Sequence, residues 1–155
     1  MLLLYPIIVN QMKAAVQFSD EECCGFLFGI EEEGNVRTIS AIMSAKNMSS
    51  FNKRETFEIS AEDYMDAENF ADRNHLKLLG IYHSHVGCPA SPSEYDRVAA
   101  QPFFSYVILS IVENTVAEMR SWTINDEFKF EEEPISIINI NQQIHGYRNH
   151  SNSAA

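Results

Sequence analysis

Basic side chains are scarce in this chain: eleven Lys and Arg stand against twenty-two Asp and Glu, a formal charge of −11 over 155 residues. Such a field repels phosphates and anionic headgroups, which argues against nucleic acid and membrane surfaces as partners. It leaves open a basic protein partner, beside the simpler reading of a solvated acidic surface. Cysteine is rare too. Its three copies, two of them adjacent at Cys23 and Cys24, make a poor disulfide framework, so the chain reads as cytoplasmic with reduced thiols. The apolar stretch 1–9 is too short to span a bilayer and lacks the basic start and small-residue cleavage site of a signal peptide. No stretch rich in Pro, Gly or Ser divides the chain and no internal repeat is visible, so the length fits one domain.

What is present alternates between two periodicities. Ile8, Met12, Ala15 and Val16 recur at helical spacing within 7–18 and predict an amphipathic helix. Residues 23–30 form an apolar run whose two glycines mark close backbone approach, as expected of a buried strand. A polar turn over 31–35 leads to a partner strand over 36–43, then a loop over 47–53 and a short strand over 55–59. Ser60 is placed to cap a helix over 61–74, with Tyr64, Ala67, Phe70 and Ala71 as its buried stripe. A strand over 76–82 runs into two histidines, and a proline-bearing loop leads to a short helix over 93–100. Residues 105–112 and 115–124 read as a hairpin about Glu113 and Asn114, and 135–140 as an edge strand. The pattern is α+β, a single domain with a mixed sheet flanked by helices. It extends over 1–140, and the polar residues 141–155 read as a flexible tail.

The chemistry concentrates in Tyr82-His83-Ser84-His85-Val86-Gly87-Cys88-Pro89-Ala90-Ser91-Pro92-Ser93-Glu94-Tyr95-Asp96. Residues two apart on a strand share a face, so His83 and His85 can reach one ion together. Two neutral imidazoles and the Asp96 carboxylate suit zinc, and three protein ligands leave a fourth tetrahedral position open. A loop with two prolines can return Asp96 to the strand end. The same residues also carry a second pattern. Ser93 and Asp96 satisfy the S-x-x-[DE] capping motif, which needs no metal, and a ligand role would divert at least one Asp96 oxygen from the cap.

His-Ser-His, seven residues, then Ser-x-x-Asp resembles the signature of the JAMM/MPN+ metalloproteases. Glu22 in Glu22-Cys23-Cys24-Gly25-Phe26-Leu27-Phe28-Gly29 matches the family's glutamate before an apolar strand. The resemblance runs over about 22–135. It is strongest to small stand-alone bacterial members of the CysO-cysteine peptidase type, through EECCGFLFG, GIYHSH, PSEYD and Arg120-Ser121-Trp122. It implies the JAB/MPN fold, related to cytidine deaminases, with one zinc ion on His83, His85 and Asp96. It makes Glu22 the general acid/base, Ser93 the oxyanion donor, and the C-terminal tail of a ubiquitin-like or sulfur-carrier protein the substrate, from which cysteine or a short extension is released. Such a tail would bind by strand addition. Val86 departs from the family's proline after the second histidine, and a looser loop is expected there.

The rival readings are a non-catalytic scaffold of the same fold, whose members lack the histidines and aspartate, and a nucleobase deaminase, whose H-x-E and P-C-x-x-C are absent. Glu21 competes with Glu22 for the catalytic role, and the spacing to Gly29 favours Glu22. Cys23 and Cys24 read as core, Cys88 as a loop thiol, and His75, His145 and His150 as surface residues. Trp122 reads equally as core or as a substrate-facing aromatic. The oligomeric state stays open, a homodimer included.

Overall fold

A computed structural model describes residues 1–139; the expected tail over 141–155, with His145 and His150, lies outside them. In chain order the elements are β1 (Leu2–Leu4), α1 (Pro6–Val16), β2 (Cys24–Glu32), β3 (Val36–Ala45), α2 (Ala61–Arg73), β4 (Lys77–Val86), α3 (Glu94–Ala99), β5 (Ser105–Val112), β6 (Thr115–Ile124), β7 (Phe130–Glu133) and β8 (Ile135–Ile137). The class is mixed α+β, as its patterning indicates. No helix among the described residues is long and apolar enough to cross a membrane.

All eight strands belong to one sheet in the order β7-β6-β5-β4-β2-β3-β1-β8. The two outermost strands are consecutive in sequence, with Pro134 alone between them. A flat sheet cannot place them so; it must curl until its two edge strands fall end to end. The closing contacts are the Leu2 amide donating to the Pro134 carbonyl at 2.9 Å and the Met1 ammonium 3.5 Å from Glu133. Buried Arg37, at the start of β3, donates to Ser105 Oγ at the start of β5 (3.0 Å) and to Glu31 (2.9 Å), binding the end of the curl away from the histidines.

Alternation along the strands sends side chains to two cores. Leu27, Tyr82, Val107 and Leu109 pack with Ile8, Met12 and Val16 of α1, while Phe26, Phe28, Ile81 and Tyr106 pack with Ala67 and Ala71 of α2. Ala15, expected on the buried stripe of α1, is exposed. Ile8, Met12 and Val16, at successive steps of four, complete the face without it. On α2, Ser60 Oγ accepts the Asp63 amide at 3.0 Å, and Tyr64 and Phe70 are half-buried at the rim of the second core. In the β5–β6 turn, Glu113 and Asn114 take φ of 50° and 58°, the two positive values that a two-residue hairpin turn requires.

Several elements differ from those expected. β1 and β7 are too short to show a pattern. Residues 55–59 do not form a strand: the side chain of Asn47 takes the hydrogen bonds a neighbouring strand would supply, accepting from the Glu58 amide and donating to the Thr56 carbonyl. β4 extends through the histidines to Val86.

Gly29 sits at a bulge between β2 and β3, where an added Cβ would collide with the Thr38 carbonyl and its backbone. Gly29→Ala is expected to destabilise the fold by about 1–3 kcal/mol, because backbone cannot swing aside. Thermal unfolding followed by circular dichroism should register a midpoint lower by several degrees; an unchanged midpoint would contradict this packing.

Candidate metal centre

β4 delivers His83 and His85 to the same face as Ile81, at the carboxyl end of a strand that runs parallel to β5. The loop that follows folds back so that the first turn of α3 faces them. His83 Nε2 lies 3.2 Å from His85 Nε2 and 3.2 Å from Asp96 Oδ1, and His85 Nε2 lies 3.4 Å from Asp96 Oδ2. All three residues are buried. Glu22, just before β2, brings Oε1 to 3.8 Å from His85 Nε2, and its other oxygen is buried without a partner. Ser93 is the N-cap of α3.

The cap and the centre coexist. Ser93 Oγ accepts the Asp96 amide (3.1 Å), and Asp96 Oδ2 accepts the Ser93 amide (2.7 Å), a complete capping box. That leaves Asp96 Oδ1 facing His83. A hydroxyl that accepts one bond still has its own proton to donate, so the Ser93 O–H is free for a group in the adjoining cleft.

The donor set fits a zinc ion. Atoms about 2.0–2.1 Å from a tetrahedral metal lie about 3.3 Å from one another, and the two imidazole nitrogens are at that spacing from each other and each from one Asp96 oxygen. The protonation pattern agrees. His85 Nδ1 is 2.8 Å from the Pro89 carbonyl, which can only accept; Nδ1 therefore carries the proton and Nε2 turns a lone pair to the centre. His83 has no such anchor. Its Nδ1 is buried without a partner, and the imidazole is held by the Phe57 ring, 4.5 Å between centroids.

The electrostatics call for a cation. Burial pushes the Glu22 carboxyl up to about 8, the nearby Asp96 and Glu55 adding to the rise and His85 opposing it. Burial also acts to raise Asp96, but the charge of His83, hydrogen bonds from both imidazoles and the Ser93 amide hold it well below the usual carboxylate range. For His85, burial lowers the pKa, while the bonds to Asp96 and Pro89 and the charges of Asp96 and Glu22 lift it above its ordinary value. Two carboxyl groups thus surround two imidazoles, and a divalent ion would satisfy the lone pairs and balance the charge.

Sequence reasoning missed what holds these groups. Asn47 donates to the Glu22 carbonyl (3.0 Å) and the Thr56 carbonyl (2.9 Å) and accepts from the Ser49 and Glu58 amides, using its full hydrogen-bonding capacity to fasten the 47–58 loop beside Glu22. On β6, Glu118, Arg120 and Trp122 share a face. Glu118 accepts the Ala90 amide (3.1 Å), Arg120 donates to Ser91 Oγ (3.3 Å), and the Trp122 indole donates to the Ala90 carbonyl (2.9 Å). Ser110 Oγ donates to the Cys88 carbonyl, and the Gly87 amide to Ile111. The loop after Val86 is therefore tied down rather than loose, and Trp122 serves that tie. The period-two spacing of 118, 120 and 122 was visible in the sequence, but nothing there says which loop they meet. Cys24 is buried, Cys23 half-buried and Cys88 exposed, and His75 is exposed.

The family described as prokaryotic homologs of the JAB domain matches residues 6–125. The desampylase of Pyrococcus furiosus is 29% identical over 122 residues, 79% of this chain and 80% of the relative. The solution structure of a Desulfitobacterium hafniense protein superposes with a TM-score of 0.76 at 27% identity, covering 90% of this chain and 94% of that one. A Salinibacter ruber protein gives 0.68 at 30% identity, covering 88% and 92%.

Purified with zinc, the protein is expected to hold about one equivalent by elemental analysis, and His83→Ala or Asp96→Ala to hold far less. Asp96→Ala should cost a further ~1 kcal/mol of stability through the lost cap, which His83→Ala would not. Full zinc occupancy in both variants would remove the centre from consideration.

Proposed function

Because this chain belongs to the family of prokaryotic homologs of the JAB domain, we propose that it is a zinc-dependent peptidase acting on the C-terminal tail of a small ubiquitin-like or sulfur-carrier protein. One zinc ion per chain is assigned to His83, His85 and Asp96. The observation that carries the reading is the meeting of two imidazoles and a carboxylate at 3.2–3.4 Å with a second buried carboxyl 3.8 Å from His85. A scaffold domain has no use for that arrangement, since burying unpaired charge costs stability. The domain is assigned to 1–140, and the protein to the cytoplasm.

When bound, zinc supplies Lewis acidity and makes water acidic near neutral pH. Glu22 is assigned the proton transfers: it accepts one from the attacking water and delivers it to the departing amine. Its burial suits both duties, since a carboxyl pushed up to about 8 holds a proton readily and a cation in the centre would draw it back toward neutrality. The Ser93 hydroxyl is assigned to the oxygen on which negative charge develops. Asn47 holds the Glu22 backbone and the β6 side chains hold the loop that leads to Ser93, so little reorganisation need accompany the reaction.

The choice of substrate rests on two supports. The strings around Glu22, His83 and Asp96 resemble peptidases that act on sulfur carriers, and the Pyrococcus relative bears an enzyme's name. Removal of cysteine or a short extension from the tail is the specific reaction expected.

Zinc-loaded protein incubated with ubiquitin-like carriers bearing a C-terminal extension should release a defined fragment, seen by mass spectrometry only while metal is present. Glu22→Gln should retain zinc and lose about 10²–10⁴-fold in kcat. Ser93→Ala should retain zinc and lose about 10²–10³-fold. Equal turnover by Glu22→Gln and the native protein would defeat the mechanism, and cleavage undiminished by chelation would defeat the metal.

A further inference from the structure

The cleft beside the centre, about 570 Å³, is lined by Glu22, His85 and Ser93 together with Asn52, Arg54 and Glu55 of the 52–55 turn. The turn is built firmly. Asn52 accepts the Arg54 amide through its side chain (3.1 Å) and the Glu55 and Thr56 amides through its carbonyl (3.0 and 2.9 Å). It is also hooked to the site, because the Glu22 amide donates to the Lys53 carbonyl at 2.7 Å. Arg54 therefore stands one residue beyond a direct contact with Glu22. Its exposed guanidinium has no acidic partner among the described residues, although acids outnumber bases two to one in this chain. Among the residues bordering the cleft it is the one permanent cation, set against Glu22 and Glu55.

From this placement we propose that Arg54 binds the α-carboxylate of the residue being released, so that the cleft takes a free C-terminus and removes a single amino acid. The inference rests on the peptidase reading and narrows its substrate class to acid-terminated tails. Glu22 must lie beside the departing amine to protonate it. In a single leaving residue that amine is joined through one Cα to the carboxylate, so the carboxylate falls on the Glu22 side of the site. There Glu22 and Glu55 would repel it unless a cation intervened, and the planar guanidinium fork matches a carboxylate in a bidentate pair. An internal peptide bond carries no charge at that position and would leave Arg54 without a partner.

The test compares Val-Gly-Gly-Ala as its free acid with the same peptide as its C-terminal amide. The zinc-loaded Glu22→Gln protein, which separates binding from turnover, is titrated with each by calorimetry, with and without Arg54→Gln. The acid is expected to bind about 10- to 100-fold more tightly than the amide. Arg54→Gln should bring that ratio to about one, and Arg54→Lys should restore part of it. Native protein should show the same acid preference in KM for cleavage. Equal affinity for the two peptides, no measurable binding of either, or a preference that survives Arg54→Gln overturns the carboxylate site. Failure of the native protein to cleave either peptide or an extended carrier, with the acid preference in binding intact, counts against the peptidase reading alone.

Discussion

A carboxylate buried between two imidazoles is the constraint around which this molecule is arranged. Removing Asp96 from water is costly, and the cost is offset only because both histidines and the Ser93 amide converge on it. That convergence depends on the exit of β4, the return of the loop and the first turn of α3 meeting at hydrogen-bond distance. The β6 side chains that grip Ala90 and Ser91 therefore help to hold the cluster together by fixing the loop between His85 and Asp96.

The local parts of this arrangement were legible in sequence. His83 and His85 are two apart on a strand, and Ser93 and Asp96 fall in a capping motif, so each pair is fixed by geometry that spans only a few residues. The capping motif looked like a rival to metal binding. In the structure the cap takes one oxygen of Asp96 and the other faces His83, so the cap leaves a carboxylate oxygen for the cluster. Glu22 was different: no local rule brings it to His85, and only resemblance marked it. The strand pairing of β2 with β4, Cys24 opposite His83, is what carries it there.

The rest was hidden for a physical reason. Asn47 replaces a strand with one side chain, so residues 55–59 have the composition of a strand without its ladder. The trio on β6 reads as an ordinary half-exposed strand face, because alternation reports which side a residue takes and never what it meets. β1 and β7 carry no period long enough to count, yet they close the sheet.

That closure also shapes how the chain must fold. Leu2 pairs with Ile135, so the first strand gains its second neighbour only from the last strand among the described residues. Loop-closure entropy makes such distant pairing slow. During synthesis, the outer edge of β1 stays open until almost all of the described chain has left the ribosome, and for that interval it is a template for pairing with other chains. The short length of β1 limits that hazard, and the acidic surface keeps neighbouring chains apart while the ends find one another.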